Sequence, residues 1–238
     1  QGMAIIVTDT SKPKIGSKKQ NHVSIFVENQ NDYVTLQPKR KSVPHREVRS
    51  MQTFFHGSSV LFSKFDLAHA LEGDGKVKFG YGVYVSSRYR SAAHYAGANP
   101  AAEHFYVYTV EVPEKKEDNY IAFKQSVHPS ILSRAVERLG EAIPDQFTTD
   151  GKDFRKLLAK KLTGKVDLEG EKAASAFLLG IGVDFIVWPY NWRNPSFGTN
   201  RAILDDSKVH IVSIDEVSLD NKKQMIEGSE QPVKYEFL

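Results

Sequence analysis

Hydrophobic positions recur with two different periods along the chain, and each change of period marks an element. Alternation at every second residue, expected of a half-buried strand, runs through "HVSIFVE" at Val23, Ile25 and Val27 and through "EHFYVYTVEVP" over 103–113. "MAIIV" and "YVTLQ" near the start, "QTFFHGS" (52–58), "KFGYGVYVS" (78–86), "DFIVWP" (184–189), "RAILDD" (201–206) and "HIVSIDEV" (210–217) read as further strands. Helical spacing replaces alternation elsewhere. "HPSILSRAVERLGEAI" sets Ile131, Leu132, Ala135, Val136, Leu139 and Ile143 on one face, behind a proline in the first turn. "DGKDFRKLLAKKLTGK" turns Phe154, Leu157, Leu158 and Leu162 inward and its lysines outward, and "EKAASAFLLGIGV" ends on a glycine stop signal. "SSRYRSAAHYA" makes a fourth helix with Ser86 or Ser87 as N-cap. Strands and helices do not alternate as in a doubly wound sheet, so the predicted fold class is α+β.

Polar turns separate the early strand candidates, and "QPKRKSVPHREVRS", with Pro38 and Pro44, interrupts regular structure before residue 51. The chain thus divides into a strand-rich N-terminal extension and linker, residues 1–50, and a main domain, residues 51–238. A length of 238 residues, 40% hydrophobic and 26% charged, suits one sizeable core. The net charge of +3 is unevenly placed: the first 50 residues hold nine Lys or Arg against four Asp or Glu. Such a segment either lies on phosphates or stays solvated as a basic arm. No apolar stretch nears the ~20 residues that span a bilayer, so no membrane partner is expected. Gln1-Gly2 before Met3 reads as a tag remnant rather than a leader. The absence of cysteine excludes thiolate catalysis, disulfides and zinc ribbons. It points to a reducing, cytoplasmic setting, with delivery into a host or neighbouring cell as the alternative.

Several familiar sites fail on spacing. In "EGDGKVKFGYG", Gly73 and Gly75 follow a polar turn and Gly80 and Gly82 lie in or before a strand, so no glycine opens a helix as a dinucleotide fingerprint requires. There is no phosphate-loop sequence and no G-x-S-x-G elbow. The eight histidines are dispersed without metal-ligand spacing, and His69, His94 and His104 read as surface or packing residues. No metal is expected.

Three elements remain. His56 ends a strand and is followed by Gly57, where a missing side chain would let a ligand reach the backbone N–H and C=O. Tyr84 and Tyr95 would sandwich a flat cationic ring, each contributing ~0.5–2 kcal/mol of stacking and cation–π energy. Read alone, the two tyrosines equally suit core positions. Asn200 leads the strand "NRAILDD" and would point into the same cleft.

Together, "FFHGSS", "FGYGVYVSSRYRSAAHYA" and "NRAILDD" resemble the ADP-ribosyltransferases of diphtheria-toxin and poly(ADP-ribose)-polymerase type, the H-Y-E clade. Tyr95 follows Tyr84 at the eleven-residue interval of the polymerase branch. "HGSSVLFSKFDLAHALEGDGKVKFGYGVYVSS", "YTVEVP" and "AFLLGIGVDFIVWP" are closer to a bacterial and phage toxin-like branch, and the resemblance spans roughly residues 53–217. It implies split antiparallel sheets with flanking helices, NAD+ as co-substrate, and cleavage of the nicotinamide–ribose bond through an oxocarbenium-like state. It also implies roles for particular residues. His56 would bond a ribose hydroxyl, Gly57 the carboxamide, Tyr84 and Tyr95 the nicotinamide ring, with Ser58 and Ser91 nearby.

The clade's third-motif glutamate is here Asn200, which hydrogen-bonds but supplies neither charge nor a general base. Transfer of a single ADP-ribose to a macromolecule, protein or nucleic acid, is therefore expected over chain building. The lysines of the 152–165 helix and the basic N-terminus make RNA or DNA worth testing as the acceptor, or simply face solvent. Asp205, Glu103 and Glu111 are the other carboxylates weighed, Asp205 more naturally as a structural residue. An NAD+ glycohydrolase and a degenerate NAD-fold interaction module are the alternatives, and an antitoxin or immunity protein is a possible partner of a toxin-like chain.

Overall fold

The computed structural model of the chain describes residues 50–69 and 77–234, all within one compact unit. The three N-terminal strand candidates, the linker up to residue 49, and the turn carrying Gly73 and Gly75 lie outside the described residues. The class is mixed α+β. Strands β1 (Met51–Ser58), β2 (Val83–Ser86), β3 (Tyr106–Pro113), β4 (Tyr120–Ala122), β5 (Phe185–Pro189), β6 (Thr199–Ile203), β7 (His210–Glu216) and β8 (Gln231–Pro232) accompany helices α1 (Tyr89–Ala96), α2 (Pro129–Leu139), α3 (Gly151–Thr163) and α4 (Leu168–Gly180).

The strands form one sheet in the order β4-β5-β6-β2-β1-β3-β7-β8. Two separate antiparallel sheets were the expectation; one continuous sheet is found, and β4 runs parallel to β5. Its weakest junction lies at the centre. β1 pairs with β3 along all eight residues, but with β2 only at Phe55 opposite Ser86.

Phe55, Ser86, Asn200 and Trp188 form one rung across β1, β2, β6 and β5. Side chains along a rung share a face, and this face carries the helices. Ile186, Trp188 and Ala202 pack there with Ile131, Phe154, Leu158, Ala174 and Leu178 of α2, α3 and α4. The opposite face buries Phe54, Val85, Tyr108 and Ile203 under Phe62, Phe65 and Leu67 of the connection after β1. Arg201 is buried on that second face between the rings of Phe54 (4.2 Å) and Phe185 (4.3 Å). Its guanidinium donates to Pro113 O (2.8 Å) and Gln52 Oε1 (2.6 Å), and burial pushes its pKa down to about 10.

Several boundaries move. The stretch 78–86 is a strand only from Val83, because Gly80 takes φ +106° in a turn. Neither Ser86 nor Ser87 caps α1, whose N-cap is Arg88 without a side-chain bond. Ser87 is occupied with β6 instead: its N–H donates to Thr199 O (2.8 Å) and its Oγ accepts from Thr199 N–H (2.9 Å). In α3 the buried stripe is Gly151, Phe154, Arg155, Leu158 and Ala159, rotated from the predicted one, and Leu162 is exposed. Val136 likewise leaves the predicted α2 face for solvent, and Ile143 lies beyond the helix stop at Gly140. No helix among the described residues is long and apolar enough to cross a membrane.

Candidate active site

The single β1–β2 pair has a consequence two residues further on. Continued in register, the antiparallel ladder would set Gly57 opposite Tyr84, but no such pair forms. The carbonyl of Tyr84 is taken instead by His56, whose Nδ1 lies 2.7 Å away. A carbonyl only accepts, so Nδ1 carries the hydrogen and Nε2 is left as an acceptor. Burial lowers the His56 pKa and keeps the ring neutral.

Tyr84 O therefore points towards β1. Backbone polar groups along a strand alternate in direction, which directs the N–H and C=O of Gly57 towards β2 as well. The result is a wedge between two strands in which no ladder pair closes the Gly57 side. The open face expected above Gly57 is absent: a Cβ there would meet Ala92 O at 1.8 Å, so α1 fills that space. Glycine is required for the helix to approach, and only the strand edge is left for a ligand.

Tyr84, Ser86 and Asn200 lie on the helix-bearing face beside this wedge. The Tyr84 hydroxyl donates to Gly80 O (2.9 Å) and accepts from Phe79 N–H (3.0 Å), and burial pushes its pKa up to about 12. Its ring lies edge-on to Trp188 at 5.3 Å. Asn200 is 5% exposed, and its Oδ1 has no hydrogen-bond partner among the described residues. A buried carboxamide oxygen without a donor costs about 1–3 kcal/mol. It is open to a hydroxyl or N–H from beyond the described residues.

The other predicted residues sit less tightly. Tyr95 is on the outer side of α1, 55% exposed, with its ring 6.0 Å from His94. It makes no ring contact with Tyr84, and burial together with the nearby Tyr190 raises its pKa. Ser91 is buried on the inner side of α1. Ser58 Oγ accepts from Val60 N–H (3.0 Å), a local turn. His56 occupies the opposite face from Gly57, packed among Phe65 (5.0 Å), Tyr108 (6.0 Å) and Phe62 (6.1 Å). Asp205 caps the turn after β6 through Ser207, about 17 Å of strand from Asn200. Glu111 lies opposite Thr53, roughly 10 Å back along β1 from His56, and Glu103 is exposed before β3.

One pair escaped the sequence reading. Arg155 of α3 and Glu171 of α4 form a buried ion pair. Burial raises the Glu171 pKa and lowers that of Arg155, and each charge offsets part of the other's penalty. Arg155 Nη2 also donates to Lys78 O (3.3 Å), steadying the turn whose Phe79 and Gly80 backbone holds the Tyr84 hydroxyl. The available signal was positional: both residues fall inside the apolar stripes of their helices. Among the described residues no group of three or more His, Asp or Glu could hold a metal ion. No family model, no curated protein and no solved structure matches the chain.

Proposed function

We propose that the chain is a mono-ADP-ribosyltransferase that cleaves NAD+ at the nicotinamide–ribose bond and passes ADP-ribose to a macromolecule. The observation that carries the reading is the wedge at Gly57. A strand edge without a ladder pair turns one N–H and one C=O towards the wedge, the complement of a primary carboxamide, with the Tyr84 ring alongside. Two neighbours support it. The buried Oδ1 of Asn200 fits a ribose hydroxyl as donor, and His56, on the opposite face of β1, keeps Nε2 as an acceptor for a further hydroxyl. The sequence resemblance, including its bacterial and phage toxin-like branch, agrees with this use of the three motifs.

In this reading the residues act by holding and orienting. Gly57 grips the carboxamide, Tyr84 covers the ring, and Asn200 fixes the ribose so that the glycosidic bond is exposed to attack. Nicotinamide leaves neutral with the bonding electron pair, so no acid is required. Asn200 cannot take the acceptor's proton, which passes to solvent or to a base on the acceptor. The one carboxylate near Tyr84 among the described residues, Glu171, is tied to Arg155. That observation favours, as second reading, an NAD+-binding module without turnover.

Nicotinamide release from NAD+ by the full chain tests the reading. Release should be lost by at least about tenfold in Tyr84→Ala, which removes the ring. Tyr84→Phe should retain it, because the hydroxyl serves only the Phe79–Gly80 turn. Binding of NAD+ without release would select the module. Neither binding nor release would refute both readings.

A further inference from the structure

The loop between β5 and β6 closes with Tyr190 N–H donating to Gly198 O (2.8 Å). Inside it, Asn191 Oδ1 accepts from Arg193 N–H (2.8 Å) and Asn194 N–H (3.3 Å), and Asn194 Oδ1 accepts from Ser196 N–H (3.3 Å). The loop therefore supports its own shape. It nevertheless turns its aromatic rings outward: Tyr190 and Trp192 are each 42% exposed and Phe197 53%. Exposed rings grouped in this way mark a contact surface rather than core.

The charged groups that lie against these rings are cations. The Arg88 guanidinium lies 5.0 Å from the Tyr190 ring and 5.8 Å from that of Phe197, and Lys124 Nζ lies 4.8 Å from Trp192. Arg193 is exposed and has no ion-pair partner among the described residues. From Phe185 to Leu204 the chain contains no Asp or Glu. Flat rings set among uncompensated cations complement a polyanion that carries flat groups. A duplex hides its base faces, whereas a single strand presents them.

We propose that this loop is a stacking platform for single-stranded nucleic acid, presenting it as the acceptor to the wedge. The chemical part rests on the ADP-ribosyltransferase reading; the binding part does not. Phe197 is three residues from Asn200, at most about 10 Å of chain, so a nucleotide on Phe197 lies near the site. In the transfer a nitrogen or oxygen of the strand bonds to the ribose carbon as its bond to nicotinamide breaks. Nicotinamide keeps the bonding pair, and the proton displaced from the acceptor goes to solvent.

The test uses the full chain and a short fluorescein-labelled oligo(dT) or oligo(U), with anisotropy as the readout. Binding should weaken with added salt, and the Trp192→Ala/Phe197→Ala double variant should lose about tenfold or more in affinity. Nicotinamide release without oligonucleotide should be unchanged in that variant, and label from radioactive NAD+ should reach the strand with the wild type only. Absence of binding, or equal binding by both proteins, overturns the platform; equal binding would point to the basic N-terminal segment. Label that reaches polypeptide in a cell lysate but never the oligonucleotide overturns it in favour of a protein acceptor. Platform-dependent binding with no nicotinamide release from any protein supports the surface and overturns its role in transfer, together with the enzymatic reading.

Discussion

Replacing Asn200 by leucine separates what this residue does for the site from what it does for the fold. The carboxamide is 5% exposed, stands on a rung between Ser86 and Trp188, and leaves Oδ1 without a donor. An unsatisfied buried acceptor costs about 1–3 kcal/mol, and an apolar group of similar shape removes that cost. Leucine keeps the branched outline and heavy-atom count of asparagine and would pack against Trp188 and the adjoining apolar face. Asn200→Leu should therefore stabilise the protein by about 1–2 kcal/mol, a rise of roughly 2–8 °C in Tm for a domain of this size. It should at the same time lose nicotinamide release, because no group remains to receive the ribose hydroxyl. Thermal melts and urea titrations of both proteins, read beside NAD+ turnover, decide the matter. A variant that melts lower than the wild type refutes the reasoning, since Oδ1 would then have a partner worth more than its burial costs. Undiminished turnover refutes the functional half.

Two further outcomes follow from geometry and charge. Gly57→Ala puts a methyl group 1.8 Å from Ala92 O and 2.8 Å from Ala96 N, so α1 must move. The loss should be about 1–3 kcal/mol, or roughly 2–12 °C in Tm, and a melt unchanged within a degree would mean that α1 does not rest on Gly57. Stability should also fall on acidification. The His56 pKa is depressed by burial, so the unfolded chain takes up this proton first as pH drops below about 6.5. The contribution is present above that pH and lost below it. Urea midpoints measured from about pH 8 to 5 should show the decline, and His56→Gln should flatten it; an equal slope in the variant would assign the decline to other groups.

Much of the scaffold was legible because burial writes its period into the sequence. The alternation of 103–113 became β3, and the apolar spacing after His128 became α2, although Gly140, left-handed at φ +71°, ends it before Ile143. Misreadings arose where one residue's partner lies far away in the chain. Ser87 looked like a cap, but it is claimed by Thr199, 112 residues on. The strand at 78–86 looked longer because the glycine turn at its start is held by the Tyr84 hydroxyl, which no local pattern reveals. β4 and β8, with three and two residues, are too short to show a period. For the site, His56, Gly57, Tyr84 and Asn200 were each visible as residues, but the wedge was not. It follows from a register that breaks after one pair. The Tyr84–Tyr95 sandwich was the weakest expectation, since spacing along a chain does not determine which way a helix turns an exposed ring.

Arg201 governs how the seam between β1 and β2 can open. Reaching from β6 across β2, it bonds Gln52 of β1 and the last residue of β3, Pro113, and lies against Phe54. All of these lie on the far side of the Phe55–Ser86 pair from Gly57. The two halves of the sheet are thus pinned at one end and held at the other by the His56 side chain on Tyr84 O, without a backbone pair, like a pair of blades on a rivet. Widening at the Gly57 end then becomes a rotation about a fixed pivot rather than a tear through the sheet, and the aperture can adjust to a ring while the strands keep their register.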